Sequence, residues 1–126
     1  MNQLIDTDIL VDYLRDVPAA VSFFENPTIQ LHVSAMSVAE LCAGAREADR
    51  PALQQFLLAF RHLPVDVRIA RLGGEFRARY GASHGTGLID ALLAATALTH
   101  GLTLATGNLR HYPMLENAVT PYPRDN

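Results

Sequence analysis

No lysine occurs anywhere in the 126 residues; all ten basic side chains are arginines. That absence removes the phosphate-cradling lysine of P-loop proteins, Schiff-base chemistry and lysine general bases in one step. Cysteine is nearly absent as well. Cys42 stands alone, which excludes an intrachain disulfide and any zinc site built from clustered thiolates; its expected place is a small buried position on a helix. No apolar run approaches the ~20 residues that span a bilayer, and no charged segment followed by an apolar one opens the chain. A soluble, cytoplasmic protein with no membrane partner is the expectation.

What is present fits a single domain over residues 1–126, with 49% hydrophobic residues and enough length for a real core. Asn2 to Ile5 reads as a short strand broken at Asp6, and Asp8 to Arg15 has helical apolar spacing in Ile9, Leu10, Tyr13 and Leu14. Pro18 opens a second helix through Phe24, since proline is tolerated in a first turn. Ile29, Leu31 and Val33 alternate with polar residues as a strand does, and a helix runs from Ser37 toward Arg46. Asp49 and Pro51 start another, with Leu53, Phe56, Leu57 and Phe60 in one stripe. Beyond it the pattern predicts a strand over Leu63 to Val65, a helix from Val67 to Tyr80 and a glycine-rich loop from Gly81 to Gly87. An alanine-rich helix from Leu88 to Thr99, a strand from Leu102 to Ala105, a short helix from Gly107-Asn108 and an edge strand at Ala118 to Tyr122 complete it. Alternating strands and helices imply an α/β class: a three-layer α/β/α sandwich around a short parallel sheet. Ligands of such sheets bind outside the carboxyl ends of the strands.

Three acids stand in or beside mostly apolar stretches: Asp6 in Leu4-Ile5-Asp6-Thr7-Asp8, Glu40 in Ser37-Val38-Ala39-Glu40-Leu41, and Asp90 in Leu88-Ile89-Asp90-Ala91-Leu92. A charge there is costly unless it is paired or binds a cation. Each has an ordinary alternative. Ser37-x-x-Glu40 matches a capping box, Asp90 suits the positive end of its helix, and Asp6 or Asp8 suits a helix cap, the cap being favoured for Asp8. Their coincidence at one sheet edge points to a divalent metal instead, since hard cations take carboxylate oxygens. The 13 acids exceed the ten arginines by three, so a metal neutralising this trio leaves no net charge to repel an anionic substrate.

Four segments in order carry a resemblance: Leu4-Ile5-Asp6-Thr7-Asp8-Ile9-Leu10, Ser37-Val38-Ala39-Glu40-Leu41, Ile89-Asp90-Ala91-Leu92-Leu93-Ala94-Ala95-Thr96-Ala97, and Leu104-Ala105-Thr106-Gly107-Asn108-Leu109-Arg110-His111-Tyr112. Together they resemble the motifs of PIN-domain ribonucleases, and among these the VapC-type toxins of toxin–antitoxin pairs. The resemblance implies an endoribonuclease whose catalytic, metal-binding acids are Asp6, Glu40 and Asp90, with Mg²⁺ as the cofactor and Mn²⁺ as a substitute. Asn108, where the family often has aspartate, Thr106 and Asp8 are candidates for the outer shell; capping is the alternative for Asn108. It further implies structured RNA (tRNA or rRNA) as substrate, a homodimer, and a VapB-like antitoxin whose helical tail lies in an apolar groove. The apolar stripe with Tyr13, Leu14, Phe23 and Phe24 is mostly core, with part of it free for such a groove. DNA binding is then the antitoxin's work, as this chain shows no helix-turn-helix signal.

Candidate RNA contacts are Arg68, Arg71, Arg77 and Arg79, with Arg61 nearby, and Arg110 with His111 after Asn108. The Ser83 to Gly87 segment is a candidate adaptable loop, or equally only a connector. Two alternatives belong to other classes. A PIN-like fold could hold a partner without cleaving. Asp6-Thr7-Asp8 after a strand also resembles haloacid-dehalogenase-type phosphotransferases, which need a lysine or arginine partner and a later acidic pair; no lysine and no adjacent downstream acids occur.

Overall fold

The structure is a computed structural model that describes residues 1–124. In chain order it contains β1 (Asn2–Ile5), α1 (Thr7–Leu14), α2 (Pro18–Phe24), β2 (Gln30–Ser34), α3 (Ala35–Gly44), α4 (Arg50–Leu57), β3 (Arg61–Leu63), α5 (Val67–His84), α6 (Leu88–His100) and β4 (Thr103–Ala105). One 3₁₀ turn, Glu47–Asp49, lies between α3 and α4, and another, Leu109–His111, follows β4. The strands form one parallel sheet in the order β3-β2-β1-β4. The three-layer α/β/α expectation matches this arrangement.

Side-chain alternation divides the sheet between two cores. Ile5, Val33 and Ala105 face α1 to α4 and pack with Ile9, Leu10, Leu41, Leu53 and Leu57. Leu4 and Leu104 face the opposite way, onto Leu93, Ala94 and Ala97 of α6, which in turn carries α5 through Leu92 and Ala95 against Ile69. Both faces of β1 are therefore buried, and its residues Leu4 and Ile5 are fully enclosed. The chain leaves this central strand at Asp6.

Several sequence boundaries move, each for a local reason. β3 spans Arg61–Leu63 rather than Leu63 to Val65, because Pro64 has no N–H to continue a ladder. α5 continues past Tyr80 to His84 and ends only at Gly85, whose φ of 68° is left-handed. Gly81 inside it costs about 1 kcal/mol relative to alanine, which a packed helix tolerates. α3 starts at Ala35, with Ser34 Oγ accepting the Met36 N–H at 3.0 Å. Ser37 is thus buried inside the helix, and the capping box that was the alternative reading of Ser37 and Glu40 does not form. The expected edge strand at Ala118 to Tyr122 reduces to a single parallel bridge between Val119 and Ala105, with Pro121 and Pro123 preventing extension. The tail is then tied back to α1: the Tyr122 hydroxyl donates to Asp12 Oδ2 at 2.8 Å, and Arg124 forks onto Asp12 while reaching Asp8.

Candidate metal centre at the carboxyl edge of the sheet

Asp6 sits where β1 and β4 both end, its N–H donating to Ala105 O at 2.9 Å. It is the cap of α1, with Oδ1 accepting the Thr7 N–H at 2.7 Å. Its other oxygen, Oδ2, accepts from the hydroxyls of Thr106 and Tyr112, each at 2.8 Å. Only 7% of the residue is exposed. Burial, and secondarily the charge of Asp8, push its pKa from 3.8 up to about 6, against the lowering effect of those three donors.

Asp90 arrives from the first turn of α6. Its Oδ2 accepts the Gly87 N–H at 3.0 Å and lies 3.2 Å from His111 Nδ1, while Oδ1 lies 3.2 Å from the Tyr112 hydroxyl. The helix-terminal role anticipated for Asp90 is therefore real, and the same carboxylate also faces Asp6 across one phenol. Ser83 and His84 are helical and the Thr86 hydroxyl donates to His111 O at 2.7 Å. This segment is an anchored connector instead of an adaptable loop.

Glu40 comes from the third side. It projects, exposed, from α3, and its Oε1 accepts the Thr7 hydroxyl at 2.7 Å, with Ser37 Oγ 2.9 Å from the same hydroxyl. Glu40 thus connects to Asp6 through Thr7 and does not touch it. Among the described residues no three His, Cys, Asp or Glu side chains stand close enough to hold a metal between them; what the fold brings together is the Asp6–Asp90 pair. That pair fits a hard cation, because it offers oxygens only and Mg²⁺ is commonly held by one or two carboxylates plus waters.

The outer candidates behave differently. Asp8 is not the cap of α1, since Asp6 takes that place. Asp8 Oδ2 instead accepts from Gly107 N–H at 2.9 Å, Arg124 at 3.1 Å and Asn108 Nδ2 at 3.3 Å. Its burial raises the pKa, opposed by the Gly107 bond and the Arg124 charge. Asn108 precedes the Leu109–His111 turn without a side-chain cap bond, so its amide serves Asp8 rather than the turn. The Thr106 hydroxyl, committed to Asp6, also accepts the Asn108 N–H at 3.0 Å.

The arginines are exposed but not gathered. Helical periodicity sets Arg68, Arg71 and Arg79 along one edge of α5 with Glu75 among them, and Arg77 on the other side, its guanidinium over Gly81. Arg68 lies roughly 24 Å along the helix from His84. His111 reaches Asp90, and Arg110 precedes it in the same turn. Among the described residues, Arg61, Arg68, Arg71, Arg77, Arg79 and Arg110 form no ion pair.

Sequence reasoning missed Thr7 and Tyr112. A buried tyrosine hydroxyl usually finds a partner, which was the available signal at Tyr112; nothing in the sequence says which partner. The aromatic stripe is largely internal: Tyr13 stacks on Phe56 at 4.8 Å between centroids, and Phe24 and Phe60 pack edge-on against Phe56. A cleft of about 590 Å³ opens beside Glu40, lined by Val11, Leu14, Leu41 and Leu53 with Arg15 and Arg46 at its rim.

Known proteins share this fold. The profile of the PIN domain family matches residues 4–114. The chain is 40% identical over 124 residues to Ribonuclease VapC19 of Mycobacterium tuberculosis, covering 95% of this chain and 99% of that one. It superposes on a toxin–antitoxin complex from Klebsiella pneumoniae with a TM-score of 0.82 and 27% identity, over 95% of this chain and 98% of the other. FitAB bound to an IR36 DNA fragment gives a TM-score of 0.79 and 27% identity, covering 98% of each chain.

Proposed function

From the premise that this chain belongs to the PIN domain family, we propose that it is a divalent-cation-dependent endoribonuclease that cuts structured RNA and is silenced by a small antitoxin. Its enzymatic class is that of the VapC relatives, an endoribonuclease toxin. Cation dependence rests on one observation above all: Asp6 and Asp90 meet at the Tyr112 hydroxyl on the carboxyl edge of the sheet. Mg²⁺, with Mn²⁺ as substitute, would be held by Asp6 and Asp90, with Glu40 on the third side and Thr106, Asn108 and Asp8 behind them. When bound, such a cation supplies a nucleophilic water and offsets charge on the phosphoryl oxygens.

The chain's own groups do the rest. Thr106 and the Thr7 N–H orient Asp6, the Gly87 N–H and His111 orient Asp90, and the Thr7 hydroxyl steadies Glu40. Arg110, His111 and Arg79 flank this edge as phosphate contacts, and Arg68, Arg71 and Arg77 extend a weaker cationic track along α5. RNA is recognised mostly at loops and unpaired bases, which favours tRNA or rRNA loops as substrates.

The cleft beside Glu40 suits the apolar face of a partner helix. An arginine on that helix would fork onto the carboxylates and compete with the cation. The solved neighbours include a toxin–antitoxin complex, which supports an antitoxin partner; a homodimer and a cytoplasmic site of action complete the proposal. No helix among the described residues is long and apolar enough to cross a membrane. The FitAB complex is DNA-bound, and contacts to DNA are assigned here to the antitoxin.

The test is sequencing of fragment ends from total RNA treated with purified protein. Cuts at one or few sites are expected, lost with a chelator and restored by Mg²⁺. Cleavage that persists in chelator would overturn the cation, and uniform degradation would overturn the structured substrate. Absence of any cleavage would favour a PIN-like module that binds without cutting.

A further inference from the structure

Tyr112 closes the candidate site from within. Its ring is 2% exposed and packs with Leu4, Leu93, Ala97 and Leu104, so the core fixes where the hydroxyl stands. That oxygen lies 2.8 Å from Asp6 Oδ2 and 3.2 Å from Asp90 Oδ1. Among the described residues no other side chain hydrogen-bonds to both acids. A phenylalanine would fill the same space without burying a polar atom, and burying one is favourable only when it is hydrogen-bonded. The hydroxyl's use therefore lies with the carboxylates.

A carboxylate oxygen has two lone pairs. Thr106 and Tyr112 occupy both on Asp6 Oδ2, and the Thr7 N–H takes one on Oδ1. On Asp90, Gly87 and His111 engage Oδ2, and Oδ1 faces only the Tyr112 hydroxyl, whose one proton points to the nearer Asp6 Oδ2 and is shared with Asp90 across 3.2 Å. Resting on the reading of Asp6 and Asp90 as the cation's carboxylates, we infer that Tyr112 is a positioning residue: its hydroxyl sets their separation and leaves one free oxygen position on each for a single cation. Orientation of ligands by such partners is worth 10- to 100-fold in metal affinity or activity as an order of magnitude.

Mn²⁺ titration calorimetry on the full chain and on Tyr112→Phe, with RNA cleavage kinetics alongside, tests this. Tyr112→Phe is expected to bind Mn²⁺ at least tenfold more weakly and to lose kcat while KM for RNA stays unchanged, because the buried hydroxyl is out of reach of substrate. Its melting in chelator should stay close to that of the parent. A folded Tyr112→Phe with undiminished Mn²⁺ affinity and kcat overturns the inference and leaves the cation reading intact; a parent protein that binds no Mn²⁺ overturns both. If Tyr112→Phe fails to fold, the parent labelled with ¹³C in its four tyrosines carries the test. Mg²⁺ should then shift the Tyr112 ring resonance, and an unmoved resonance refutes the role.

Discussion

Replacing Asp6 by asparagine should stabilise the cation-free protein, and only above mildly acidic pH. The Asp6 carboxyl is pushed from 3.8 up to about 6 in the folded state, first by burial and then by Asp8. A raised acid binds its proton more tightly folded than unfolded, so its favourable contribution is complete below the unfolded value and is lost as pH rises through the folded one. At about 1.4 kcal/mol per pKa unit, the loss by neutral pH is about 3 kcal/mol. Asparagine removes that titration and can keep the local bonds. Its carbonyl accepts the Thr7 N–H, and its amide donates to the hydroxyls of Thr106 and Tyr112, which rotate to accept. Urea unfolding in chelator should show Asp6→Asn more stable than the parent by about 1–3 kcal/mol at about pH 8, the gain fading toward about pH 4. Saturating Mg²⁺ should close the gap by stabilising the parent alone, by about 2.7 kcal/mol at a hundredfold excess over Kd. An Asp6→Asn protein no more stable at the higher pH, or equally stabilised at both, would refute the reasoning.

Three further outcomes are expected. Asp90→Asn and exposed Glu40→Gln should reduce RNA cleavage to background while circular dichroism and melting stay near the parent's; full cleavage by either would remove that acid from the site. Gly73→Ala should cost about 1–3 kcal/mol by overpacking, since its new carbon would meet Leu92 Cδ2 at 2.7 Å and Cα at 3.2 Å, and an unchanged denaturation midpoint would show that α5 and α6 can separate freely. Asn108→Asp places an acid against Asp8 Oδ2, now 3.3 Å from the amide, so the cation-free melting temperature should fall at neutral pH while Mn²⁺ calorimetry reports tighter binding from the added oxygen; unchanged affinity would leave Asn108 a partner of Asp8 alone.

The acids were legible in the sequence because each lies at a break that the chain announces: Asp6 at the end of a buried strand, Asp90 after glycines at the start of an alanine-rich helix. Parallel order followed from alternation of elements. What was not legible depended on contacts across the fold. Ser37 and Ser34 are equally good caps by type, and only the strand end at Ser34 decides between them. Gly81 suggested a break, yet α5 gains enough against α6 to run through it, and the left-handed position falls at Gly85. Asp8 looked like a cap because its partner in the 107–108 turn lies 99 residues away. Tyr112 drew no role from the sequence because its partners Asp6 and Asp90 lie 106 and 22 residues away.

The bonds that complete the site also fix when it can work. Thr106 and Tyr112 reach Asp6 across 100 and 106 residues, so the acidic edge is a product of the whole chain. At roughly 5–20 residues per second of synthesis, a ribosome carries an unfinished chain for several seconds in which Asp6 and Glu40 exist without Asp90, Thr106 or Tyr112. A nascent fragment short of Tyr112 lacks the hydroxyl through which Asp6 and Asp90 meet. The acidic edge therefore closes last, only once the 106–112 segment has joined the sheet that Asp6 leaves.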